Sequence, residues 1–130
     1  MDLLTIEQVE DQEFEIQVRG HRVASDMALD DDGHDLGPSP TELLVGSLGA
    51  CIGMVIARYC KGLDCPTEGL AIYLTYQLGE KPKRIKSIVV DLELPKGFPE
   101  DRKPAIQRLI RMCPVHGTLS EPPEIDIEIE

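Results

Sequence analysis

The stretch SPTELLVGSLGACIGMVIARYCKG, residues 39–62, decides the fold. It opens with Ser39 at a helix N-cap, Pro40 at the first helical position and Glu42 at the third, the arrangement of a capping box. Between Glu42 and Arg58 lie fifteen residues without a charge, fewer than the roughly 20 that a membrane span needs. Gly62 can stop the helix. The stretch therefore reads as a buried core helix over residues 40–62. At about 100° per residue, Gly46, Ala50, Gly53 and Ala57 form a stripe of small side chains, and Leu44, Leu48, Cys51 and Val55 a bulkier stripe roughly opposite. A helix apolar on all sides must be enclosed on all sides.

The elements around it follow from periodicity. EFEIQV, residues 13–18, sets Phe14, Ile16 and Val18 on one face and Glu13, Glu15 and Gln17 on the other, as in a half-buried strand. Residues 2–9 and 21–28 read as flanking strands. SDMALDDDGHDLGPSP gathers Asp, Gly and Pro into a loop. Two further strands, GLAIYLTYQL and RIKSIVVDLEL, are joined by GEKPK, which suits an antiparallel hairpin. Ile106, Leu109, Ile110 and Cys113 then fall at i, i+3, i+4 and i+7, giving a second amphipathic helix that Asp101 caps and Pro114 ends. EIDIEI, residues 124–129, alternates as a last strand with its isoleucines inward. The order is strands, helix, strands, helix, strand.

A chain of 130 residues with 42% hydrophobic content builds one core, so a single domain over residues 1–130 is expected. One sheet system and one other helix are too little cover for the first helix, so the missing cover is expected from a second copy, in an obligate homodimer. A net charge of −11 opposes binding to nucleic acid or an anionic membrane, which relies on clustered Lys and Arg. The N-terminus, MDLLTIEQVEDQEFE, is acidic where a signal peptide is basic and apolar, and a cytoplasmic location is expected.

In that compartment the four cysteines are not structural staples. Cys51 and Cys113 lie on the apolar faces of the two helices, where they serve either as small hydrophobes or, if packing brings the sulfurs together, as a reactive pair. Cys60 and Cys65 lack the second pair that a zinc site needs. DDDGHD lacks the spaced ligands and closing Glu of a calcium loop. No metal or cofactor is expected.

The phrases GPSPTELLVGSLGAC and CPVHGTL, in this order and spacing, resemble the OsmC-like family, which includes the organic hydroperoxide resistance proteins. The likeness spans nearly the whole chain and is weakest over residues 1–20. It implies an α+β fold with antiparallel sheets and two main helices, forming an intertwined homodimer with sites at the subunit interface. It also implies a thiol-dependent peroxidase in which Cys51 attacks an organic hydroperoxide, Cys113 resolves the sulfenic acid, and an external dithiol reduces the disulfide.

Members with that activity help the thiolate with an arginine held by a glutamate. The family's glutamate follows the proline directly; here Thr41 stands there and Glu42 comes one residue later, about half a turn around the helix from Cys51. Glu42 thus reads as a cap or as the arginine's orienter. Arg22, ahead of Arg19, is the candidate arginine, Arg58 reads as surface, and His116 as a cap or a tuner of Cys113. The alternative function is a non-catalytic or redox-responsive binding module with the same fold.

Overall fold

The computed structural model describes residues 2–130. The chain divides into two compact units, Met1–Leu44 and Val45–Glu130.

In the N-terminal unit, β1 (Thr5–Glu10), β2 (Glu13–Val18) and β3 (His21–Ser25) form an antiparallel meander in that order. β2 pairs with β3 in an unbroken register from Phe14↔Ser25 to Val18↔His21. The β2–β3 turn places Arg19 and Gly20 at φ 48° and 80°. Positive φ at both central residues is what a two-residue turn needs to match strand twist.

The predicted acidic loop is ordered around one carboxylate. Asp26, 2% exposed, accepts N–H bonds from Met27 at 2.7 Å and from His34 and Leu36 at 3.2 Å. Burial pushes its pKa up, but these three donors outweigh burial and hold it below the usual carboxylate value. The loop closes so tightly that a Cβ on Gly33 would lie 1.9 Å from the Met27 carbonyl oxygen.

α1 (Pro40–Gly62) starts and ends as the residues dictate. Ser39 N–H donates to Glu42 Oε1 at 2.8 Å and Glu42 N–H donates to Ser39 Oγ at 3.2 Å, so the capping box is complete. In the C-terminal unit, β4 (Ala71–Glu80) and β5 (Lys83–Glu93) form the expected hairpin, with a register shift at Gln77/Leu78. Leu48, Ile52, Ile56 and Cys60 of α1 join Phe98, Ile106 and Cys113 in the core, with Ile72, Leu74, Ile88, Val90 and Leu92 of the hairpin packed against them. α1 is long and apolar enough, by length and composition, to cross a membrane; here this stripe is core. A Cβ on Gly49 would come within 2.6 Å of Leu74 Cδ1, so glycine lets the sheet side chain settle on the helix.

The C-terminal third departs from expectation in three places. Pro99, not Asp101, occupies the N-cap of a 3-10 helix over Glu100–Ala105, which runs into a short α2 (Ile106–Arg111). Pro114 does not simply end α2: it is the first residue of α3 (Pro114–Ser120), capped by Cys113. Residues 124–129 form no strand, and Ile125, Ile127 and Ile129 are 78–93% exposed. Alternation alone makes a segment able to pair, but a strand also needs a neighbouring edge. The result is a mixed α+β fold with antiparallel sheets and three α-helices.

Candidate active site

α1 carries Cys51 in its fourth turn, half-buried, and the α2–α3 junction carries Cys113, 1% exposed. The motif CPVH explains the second position. Cys113 is the N-cap, Pro114 takes the first helical position where no N–H is needed, and the next two N–H groups are left for the sulfur. His116 N–H donates to Cys113 Sγ at 3.4 Å, and Val115 N–H is a second donor. Thus it is the backbone of His116 that acts on Cys113. The imidazole Nδ1 lies 3.4 Å from Ser120 Oγ.

The two thiols are neighbours, Cys51 packing against the core cluster that contains Cys113, and both are free. Burial raises the Cys113 pKa above the ordinary thiol value and the Cys51 thiol adds to this, partly offset by the His116 and Val115 N–H groups. The pair is asymmetric: Cys51 is half-buried, and Cys113 is enclosed with its thiol form favoured.

Cys51 opens on a cavity of about 680 Å³ within the C-terminal unit, walled mainly by Val55, Tyr59, Leu109 and Met112. Its one charged lining residue is Arg58, which is exposed, as the sequence reading expects, and also borders this cavity. The signal was present: Arg58 follows Cys51 by seven positions, two turns along the same helix face.

Arg22 belongs to the N-terminal unit. Its side chain is 72% exposed, with Nε 3.9 Å from Glu15 Oε1. Glu42 is engaged by Ser39, whose backbone and side-chain bonds hold its carboxyl below the usual value against a smaller opposing effect of burial. Cys60 and Cys65 lie at the other end of α1, and among the described residues no group of three or more His, Cys, Asp or Glu is placed to hold a metal.

The model of the OsmC-like protein family matches residues 33–128. No curated protein matches the chain. Among solved structures, an osmotic stress induced and detoxification response protein, so described, from Psychrobacter arcticus 273-4 is similar with a TM-score of 0.82 at 18% identity, over 91% of this chain and 88% of that one. An OsmC like protein from Mycoplasma pneumoniae is similar with a TM-score of 0.80 at 17% identity, over 94% and 89%. An organic hydroperoxide resistance protein from Elizabethkingia anophelis follows at 0.68 and 13% identity, over 93% and 89%. Identities this low establish a shared fold.

Proposed function

The chain belongs to the OsmC-like family, and from that premise we propose that it is a thiol-dependent peroxidase reducing organic hydroperoxides through Cys51 and Cys113. The observation that carries this reading is the adjacent thiol pair with its accessible member opening on a largely apolar cavity.

The chemistry follows from the asymmetry of the pair. Cys51 as thiolate attacks the outer oxygen of the hydroperoxide; the O–O bond breaks, the alkoxide takes a proton and leaves as the alcohol, and Cys51 becomes a sulfenic acid. Cys113, held nearby, attacks that sulfur, a disulfide forms and water leaves. An external dithiol then reduces the bridge by thiol–disulfide exchange, returning two electrons and two protons. The enclosed, proton-bearing Cys113 suits the resolving role, because it becomes a nucleophile only once an electrophilic sulfur is beside it. Walls of Val55, Tyr59, Leu109 and Met112 favour a bulky alkyl group over hydrogen peroxide.

In this reading Arg22 supplies positive charge toward Cys51 and Glu42 orients it, no resident cofactor or metal takes part, and the protein works in the cytoplasm as a homodimer. The second reading, a redox-responsive binding module without efficient turnover, is favoured by Arg22's exposure and by Glu42's engagement in the cap. Consumption of cumene or tert-butyl hydroperoxide with a dithiol reductant, compared with hydrogen peroxide, separates the two. Preferential consumption of the organic peroxides is expected; no consumption of either overturns the peroxidase reading.

A further inference from the structure

The C-terminal end of α1 closes in a Schellman motif. Asp64 takes φ 52°, its N–H donates to the Lys61 carbonyl at 3.2 Å, and the Cys65 N–H reaches back to the Cys60 carbonyl at 2.9 Å. The two residues joined by the second of these bonds, which spans more of the chain, commonly bring their side chains into contact. Here both are cysteines, and Cys65 packs against the core cluster that contains Cys60. Cys60 is fully buried in the core, while Cys65 is half-buried, its Sγ 3.5 Å from the Pro66 carbonyl oxygen. Both are free.

We propose that Cys60 and Cys65 form a second oxidisable dithiol, separate from the Cys51–Cys113 pair, that closes a reversible disulfide across the C-cap of α1. The difference in exposure sets the order of events. Cys65 is the sulfur that an external disulfide can reach. As thiolate it attacks one sulfur of that disulfide, forming a mixed disulfide and releasing one thiol. Cys60 then gives up its proton, attacks the Cys65 sulfur and displaces the second thiol. Two protein thiols lose two electrons and two protons, which the small disulfide takes up as two thiols. Burial first, and Cys65 second, hold the Cys60 pKa above the ordinary thiol value, so the closing step is the slower one.

Tyr59, Gly62 and Leu63, the sequence neighbours of the pair, line the cavity onto which Cys51 opens. Closing the bridge therefore acts on a wall of that cavity. Any effect on peroxide turnover rests on the peroxidase reading above; the disulfide itself does not.

The test uses the Cys51→Ser/Cys113→Ser double variant, checked for folding by circular dichroism, then incubated with glutathione disulfide. Trypsin cuts after Arg58 and after Lys61, so Cys60 and Cys65 leave on different peptides. The expected result is an intact mass lower by two hydrogens, the two peptides recovered as one linked species, and reversal by dithiothreitol. A persistent glutathione adduct on Cys65, or two unmodified peptides, would overturn the proposal. Wild-type protein mapped in the same way must show the same linked peptides, which keeps the test decisive if the double variant does not fold. Cys65→Ser should leave Cys60 unmodified; an adduct on Cys60 would overturn the stated order. Peroxide consumption is not among these readouts, so this proposal and the peroxidase reading fail separately.

Discussion

At the scale of single residues, Cys113 does two jobs with one sulfur. It caps α3 by accepting the His116 N–H and lies beside the Cys51 thiol. The roles proposed for the two cysteines predict different failures. Cys51→Ser should consume no hydroperoxide, whereas Cys113→Ser should react once and stop with oxygen retained on Cys51. Intact mass after one equivalent of organic hydroperoxide checks this: the wild type loses two hydrogens and Cys113→Ser gains oxygen. The role proposed for Arg22 toward Cys51 is tested by alkylation kinetics at neutral pH. Arg22→Ala is expected to slow alkylation several-fold, with Arg19→Ala and the double change included because the two can substitute for each other. An unchanged rate in these variants together with a slowed Arg58→Ala would move the role to Arg58, which shares the cavity with Cys51.

At the scale of elements, the start of α1 and the loop before it are held by carboxylates that accept backbone N–H groups. Ser39→Ala removes one half of the capping box and should lower stability by about 1 kcal/mol, read from chemical denaturation. Asp26 and Glu42 both have pKa values below the ordinary carboxylate range. A lowered native-state pKa means that the stabilisation is present above the unfolded-state value and is lost as pH falls through the native one. Melting temperature should therefore drop below about pH 5, and Asp26→Asn, less stable at neutral pH, should flatten that dependence. Gly33→Ala should disrupt the loop far more than Gly62→Ala, because the first new Cβ meets backbone at 1.9 Å and the second meets nothing within 4 Å. Proteolysis within residues 26–38 reads the difference.

At the scale of the whole molecule, α1 still presents an uncovered apolar face: Met54 is 68% exposed, and Gly46 and Ala50 are exposed on the same side of the helix. The proposed homodimer would cover it. Gly46→Arg tests this without disturbing the fold, since nothing lies within 4 Å of a Cβ there and arginine is the better helix former. Light scattering should show a dimeric wild type and a monomeric, equally helical variant; a dimeric variant removes this face from the interface. Read by itself, the chain determined its local structure. The Ser39–Glu42 box, the period-two strand 13–18, the hairpin strands read at 69–78 and 84–94 and the loop read at 25–40 are encoded in neighbouring residues, and the structure carries them with the hairpin strands at 71–80 and 83–93. The two phrases around Cys51 and Cys113 likewise pointed to the family. Only the tertiary structure decided that Pro114 begins a helix on a cysteine cap, that Arg58 joins the Cys51 cavity, and that residues 124–129 stay unpaired. The physical reason is the same in each case. A cap, a turn or an amphipathic face is set by atoms a few residues apart, whereas a sulfur's neighbour, a cavity wall and a strand's partner come from parts of the chain that periodicity cannot connect.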